Sequence, residues 1–68
     1  MKVRELINHA HLFAGQKIVL HDVGETKKTY ISVNRYSFEL DSETVEYLLR
    51  LKTNTFRCSE AGLEIYAE

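Results

Sequence analysis

Three histidines and one cysteine have the widest chemical repertoire among the 68 residues of this chain. His9 and His11 fall in a segment of helical periodicity, where residues two apart diverge by about 200° and cannot share a metal ion. A mixed site with His21 and Cys58 would need a particular fold, and no spacing favours it. The sequence therefore predicts no metal site. It predicts surface or half-buried histidines, with Glu5 placed to pair with His9.

No pattern of residues indicates catalysis. Cys58 alternates in phase with Phe56, which predicts a buried small apolar residue and not a nucleophile. Glu39, Asp41 and Glu43 lie close together, but helix capping and solvation account for them. A glycine-rich phosphate loop, a nucleophile elbow and a His-Glu-x-x-His motif are all missing from the sequence. We expect neither an enzyme nor a cofactor.

Length and charge narrow the function further. Residues 1–68 make one small domain, and cores of this size commonly need support from self-association when no disulfide can form. Nine basic residues stand against ten acidic ones, a net charge of −1, which disfavours nucleic acid because phosphate contacts require basic excess. The polar N-terminus predicts no signal peptide or membrane span, and the single cysteine suits a cytoplasmic protein.

The order of elements predicts an α+β fold, α-β-β-β-α-β-β, with a mainly antiparallel sheet and two helices packed on one face. A first helix is predicted over residues 2–13, where Val3, Leu6, Ile7, Ala10 and Phe13 recur at helical spacing. Hairpins are predicted around "GETKK" and "SEAG", and a third strand over "YSFEL", with Tyr36, Phe38 and Leu40 on one face. The last strand, "LEIYAE", is expected to be the free edge.

The second helix, "DSETVEYLLRLK", is apolar around more of its circumference than one small core requires. Asp41 is its predicted N-cap, and Glu46 and Arg50 form an i,i+4 pair. A stripe of about 100°, the usual width of a core-facing surface, comprises Val45, Leu48 and Leu49. Tyr47 and Leu51 widen the arc to about 200°. Either these two side chains cover the flank of the core, or, with Lys52 beside them, they form a partner or dimer surface.

The sheet face away from the helices is the second candidate surface. Strand alternation assigns Ile18, Leu20, Ile31 and Val33 to the core side. The opposite face is expected to carry Val19, His21, Tyr30, Ser32, Asn34, Thr55, Arg57 and Tyr66. Of these, His21, Tyr30, Asn34, Arg57 and Tyr66 are the candidate binding residues, since aromatic and cationic groups on an open sheet suit base stacking. The same set also describes a solvated face or a protein-binding face.

These observations predict a non-enzymatic protein-interaction module that docks on a protein partner or forms a homodimer. The alternative is a nucleic-acid-binding protein that uses Tyr30, Arg57 and Tyr66. In element order, residues 1–52, a helix followed by three strands and a helix, resemble some small phage-encoded inhibitors such as certain anti-CRISPR proteins. The resemblance implies an accessory or inhibitor protein of a phage or mobile element.

Overall fold

A computed structural model describes residues 1–35 and 37–68 and confirms the α+β class. The elements are α1 (Val3–His9), β1 (Lys17–Asp22), β2 (Thr29–Ile31), α2 (Ser42–Arg50), β3 (Thr53–Ser59) and β4 (Gly62–Ala67). The order is thus α-β-β-α-β-β. Both predicted hairpins are present, since β1 pairs with β2 and β3 pairs with β4, each antiparallel.

The four strands form one mixed sheet in the order β2-β1-β4-β3. Its two outer pairs are antiparallel, whereas the central pair, β1 and β4, is parallel. The prediction that "LEIYAE" is the free edge is wrong, because β4 is hydrogen-bonded on both sides. The edges are β2 and β3.

Both helices pack on one face of this sheet, as predicted. Ile18 lies beside Leu63, and Leu20 beside Ile65, at the centre of the sheet. The buried core joins these strands to both helices and consists of Val3, Leu6, Leu12, Ile18, Leu20, Leu48, Leu51, Leu63, Ile65 and Ala67. Because alternate residues of β1 and β4 point to the same side, two short strands supply most of the core floor.

The third predicted strand is not formed by residues 37–40, and Tyr36 lies outside the described residues. The Val33 N–H donates to the Ser37 carbonyl, and the Ser37 N–H donates to Asn34 Oδ1. These local bonds turn the chain from β2 toward α2 and replace the ladder of a strand. The helix, three strands and helix on which the resemblance to phage-encoded inhibitors rested are therefore not the observed arrangement.

Helix α1 ends at His9, earlier than residue 13, because Ala10 adopts an extended conformation. The backbone is no longer helical beyond that point, so Leu12 enters the core and Phe13 is 75% exposed, contrary to prediction. The predicted pairing of Glu5 with His9 occurs through the backbone, because His9 Nδ1 lies 2.9 Å from the Glu5 carbonyl oxygen and not against its carboxylate. The Glu5 carboxylate instead accepts a hydrogen bond from the Lys2 backbone N–H, where it caps the start of the helix.

Helix α2 begins as predicted. The Asp41 carboxylate accepts hydrogen bonds from the backbone N–H and the hydroxyl of Thr44, at 3.2 and 2.6 Å. Glu46 pairs with Arg50 one turn later, with 3.4 Å between Nε and Oε1, and also with Arg4 of α1. The Glu46 carboxylate thus ties the two helices together at the surface.

Candidate interaction surfaces

The residues that widen the apolar arc of α2 pack against the core of the same chain. Leu51 is 9% exposed and belongs to the core, and Tyr47 packs against the core from its flank. Burial of Leu51 favours the first of the two interpretations, in which these side chains cover the flank of the core, whereas Tyr47 remains partly exposed. Lys52 is exposed, but its backbone exchanges two hydrogen bonds with that of Glu68.

Tyr47 reaches a buried carboxylate. Its hydroxyl donates to Asp22 Oδ2 at 2.6 Å, and Asp22 is 1% exposed. Oδ2 also accepts from the Thr26 hydroxyl and N–H, while Oδ1 accepts from the Gly24 N–H. Although burial alone would raise it, these hydrogen bonds lower the pKa of Asp22 to about 2. The Asp22 carboxylate and partial burial raise the pKa of Tyr47 above its ordinary value.

Sequence reasoning missed Asp22, although a signal was available. Ile18 and Leu20 face the core, so strict alternation in β1 also turns residue 22 inward. The following "VGET" supplies the turn N–H groups and the hydroxyl that a buried carboxylate needs. The carboxylate organises the β1–β2 turn and holds it to α2.

Tyr47→Phe is expected to lower the free energy of unfolding by about 1–2 kcal/mol, because a hydrogen bond to the buried Asp22 carboxylate is lost. Tyr30→Phe is the matched control. The Tyr30 hydroxyl donates to the exposed Thr26 Oγ1, a neutral acceptor, so we expect a loss below about 1 kcal/mol. Urea unfolding followed by circular dichroism measures both. Equal losses in the two variants would contradict the importance of the Tyr47–Asp22 bond.

The open sheet face keeps only part of its predicted set. Tyr30 was assigned to the wrong face. It lies opposite Leu20 and packs against the core, whereas Ile31 lies opposite Val19 on the open face and is 59% exposed. Asn34 follows β2 in a bend and takes no part in a strand.

His21, Arg57 and Tyr66 do come together on the open face, around Glu64. The His21 and Tyr66 rings stack with centroids 4.4 Å apart and planes 11° apart. Glu64 accepts from His21 Nε2 at 2.9 Å and from Arg57 Nε at 2.7 Å. Both partners hold the pKa of the Glu64 carboxyl below its usual value. The two rings cover each other's inner faces and Arg57 is already neutralised, so this cluster is not a flat cationic platform for bases.

Cys58 is exposed, which contradicts the prediction that it is buried. The prediction that Cys58 and Phe56 point to the same side of the sheet is confirmed. Cys58 lies opposite Leu63 and Phe56 opposite Ile65, so both side chains point to the side on which the helices pack. However, β3 is an edge strand and α1 ends at His9, so no helix or strand formed by the described residues covers Phe56 and Cys58. Phe56 is accordingly 49% exposed.

An apolar groove lies between β3 and the end of α1. Its volume is about 500 Å³, and its lining is Met1, Leu6, His9, Ala10, His11, Phe56, Cys58 and Leu63. We call this groove, together with the outer edge of β3, the β3 edge surface. His9, His11 and Cys58 all line it, but no three His, Cys, Asp or Glu side chains among the described residues are placed so that they could hold a metal ion.

The hydrogen bonds of β4 show which backbone N–H and C=O groups of β3 point toward β4 and which point to the outer edge. The carbonyl oxygens of Ala61 and Ala67 accept hydrogen bonds from Lys17 and Val23, on the β1 side. Odd-numbered residues of β4 therefore bond toward β1, and even-numbered ones toward β3.

The inward-bonded residues of β3 are thus Arg57 and Thr55, which lie opposite Glu64 and Tyr66. The N–H and C=O groups of Phe56 and Cys58 point to the outer edge. Nearer the start of the strand, the Thr53 N–H donates to the Met1 carbonyl at 2.8 Å. Within residues 1–35 and 37–68, nothing pairs with the outer edge beyond that point.

No helix in the described part of the chain is long and apolar enough to cross a membrane. Comparison with protein-family models, with curated proteins and with solved structures found no match for this chain. The β3 edge surface, an unpaired strand edge beside an apolar groove, is therefore identified from the geometry of the chain alone.

Proposed function

We propose that this protein is a non-enzymatic protein-interaction module that binds an extended peptide segment along the β3 edge surface. The observation that carries the proposal is the half-exposed Phe56 on an unpaired strand edge. Edge strands in monomeric proteins are normally short, charged or covered, because unpaired backbone groups attract other strands. β2 follows that pattern with three residues beside Lys27 and Lys28, whereas β3 has seven.

The chemistry of the surface specifies the kind of segment it suits. Unpaired N–H and C=O groups at Phe56 and Cys58 bind a strand through its main chain, and the adjoining groove accepts apolar side chains on one face of that strand. The groove floor is formed by Leu6, Ala10 and Leu63. A segment with alternating apolar residues and little charge is the expected ligand. The exposed thiol of Cys58 beside this surface suits a reducing compartment such as the cytoplasm.

Selection from a displayed library of seven-residue peptides tests the proposal. Peptides selected on the wild-type protein should bind Phe56→Arg at least about tenfold more weakly, because a central aromatic contact is lost and a charge meets the groove. Ile31→Arg is the matched control, since Ile31 is also an exposed apolar residue but lies on the other edge and the other face. It should bind the same peptides unchanged.

Two results would count against the proposal. The first is a selection that enriches no peptides, and the second is equal binding of the enriched peptides to the wild-type protein and to Phe56→Arg. As a direct readout, amide hydrogen exchange at Phe56 and Cys58 should slow when a selected peptide is bound, because their N–H groups gain acceptors.

The alternative of nucleic-acid binding stays a prediction, as does an origin in a phage or mobile element. The open face offers His21, Arg57 and Tyr66 to a nucleic acid, without Tyr30. No contact in the described residues favours it over the β3 edge surface.

A further inference from the structure

We infer that the segment bound by the β3 edge surface is β3 of a second copy of this chain, antiparallel and centred on Arg57. This inference rests on the proposed function and names its partner. The result would be a two-fold symmetric dimer with a continuous eight-stranded sheet, four strands coming from each copy.

The register follows from which backbone groups are unpaired. Phe56 and Cys58 point their N–H and C=O groups outward, whereas the ladder is irregular between Thr53 and Thr55 and the Thr53 N–H is already bonded to Met1. The regular unpaired stretch is therefore Phe56–Cys58, with Arg57 at its midpoint. Antiparallel pairing about that midpoint sets Phe56 opposite Cys58 of the second copy, and the reverse. Each pair exchanges two main-chain hydrogen bonds.

The same register places the side chains favourably. Phe56 stands beside Cys58 of the second copy, next to the groove that Leu6 and Leu63 line there. Since the symmetry repeats this contact, each aromatic ring covers the groove of the other copy. The two-fold symmetry therefore covers both exposed features of the β3 edge surface, the Phe56 ring and the apolar groove.

The charges at the centre of this dimer come from Arg57 and Glu64. From Thr55 to Ser59 the only charged side chain is that of Arg57, and Glu64 binds its guanidinium at 2.7 Å. In the dimer the open face would carry the row Glu64, Arg57, then Arg57 and Glu64 of the second copy. The two arginines lie opposite each other at the two-fold axis, where like charges repel, and the Glu64 carboxylate of each copy offsets part of that repulsion. The β2 edge, with Lys27 and Lys28 beside it, offers no comparable balance.

The first test is sedimentation equilibrium of the full chain over a hundredfold range of concentration. The wild-type protein should dimerise, Phe56→Arg should raise the dimer Kd at least about tenfold, and Ile31→Arg should leave it unchanged. Wild-type protein that stays monomeric, or a dimer that persists in Phe56→Arg, would overturn the inference.

The second test fixes the register by disulfide formation. In Arg57→Cys with Cys58→Ser, the two new cysteines would face each other with about 4.5 Å between Cα atoms, within the range a disulfide bridges. Mild oxidation should link this variant. The control, Thr55→Cys with Cys58→Ser, puts each cysteine opposite Ser59 of the second copy and should not link. Equal linking, or linking of the control alone, would also overturn the inference.

Failure of the inference can be told apart from failure of the proposed function. If the chain is monomeric but selected peptides still require Phe56, the β3 edge surface binds another protein and only the second copy is excluded. If neither peptides nor a second copy require Phe56, the proposed function fails as well. Circular dichroism of each variant shows that it remains folded.

Discussion

Replacing Gly62 by alanine is expected to leave most molecules of the protein unfolded at 25 °C. Gly62 has φ +137°, and a Cβ there would overlap the carbonyl oxygen of Lys17 and lie 2.6 Å from its nitrogen. Those atoms belong to the backbone of β1, which cannot move aside without breaking the parallel pairing at the centre of the sheet. The cost should match or exceed the whole stability of a small domain, about 5 kcal/mol.

Gly15→Ala is the matched control for that substitution. Gly15 also has positive φ, at +90°, but nothing lies within 4 Å of the position of a Cβ. Its cost should be only the conformational one, about 1 kcal/mol. Urea unfolding followed by circular dichroism distinguishes the two variants. A folded Gly62→Ala variant with stability similar to Gly15→Ala would show that β1 and β4 do not approach as closely as described.

Asp22→Asn is expected to lower the free energy of unfolding by about 2–4 kcal/mol at neutral pH. The carboxylate accepts four hydrogen bonds, two from backbone N–H groups and two from the hydroxyls of Thr26 and Tyr47. An amide has only one oxygen. In either orientation its NH₂ group therefore meets a backbone N–H that has lost its acceptor.

Asp22 should also make stability depend on acid pH. Its pKa is about 2 in the folded protein against an ordinary 3.8, so its ionised form favours folding. The contribution, about 2–3 kcal/mol, is complete above roughly pH 4 and disappears as the pH falls toward 2. Comparing the wild type with Asp22→Asn from pH 7 to pH 2 isolates this part, because other carboxylates titrate in both.

Glu60→Gln is the control for the loss of one negative charge, since Glu60 is exposed in the β3–β4 turn. It should change stability by less than about 0.5 kcal/mol at neutral pH. If Asp22→Asn showed the same pH profile as Glu60→Gln, the buried carboxylate would not be responsible for the acid dependence.

Local patterns predicted the elements that local chemistry determines. The Asp41 cap, the Glu46–Arg50 pair and the two hairpin turns all depend on residues a few positions apart, and the structure contains each of them. Helix α1 was predicted too long, because the apolar residues up to Phe13 keep helical spacing past the point where Ala10 becomes extended.

The errors arose where contacts between distant segments determine which face of the sheet a residue occupies and whether it is buried. Tyr30 was placed on the open face because Ile31 is the more apolar residue, but pairing with β1 sets Tyr30 opposite Leu20. Exposure of Cys58 could not be predicted, since it depends on β3 lying at an edge. That position follows from the parallel pairing of β1 with β4, which no short-range spacing encodes.

The β3 edge surface was missed for the same reason, since short-range spacing does not encode strand order. The sequence drew attention to Tyr47 and Leu51, whose excess apolar area is used to cover the core and Asp22. Phe56 looked like an ordinary buried strand residue. It becomes a candidate binding residue only when strand order leaves its side chain without a cover.

The central pairing of β1 with β4 also bears on how the chain folds. His21 and Glu64, neighbours across it, are 43 residues apart in sequence. Each hairpin can form from nearby residues, but an isolated hairpin in water has little stability of its own. The apolar floor exists only after the two hairpins dock, so closing the long intervening loop precedes most of the energetic gain. Folding should therefore be slow for so short a chain and all-or-none, with neither half persisting alone.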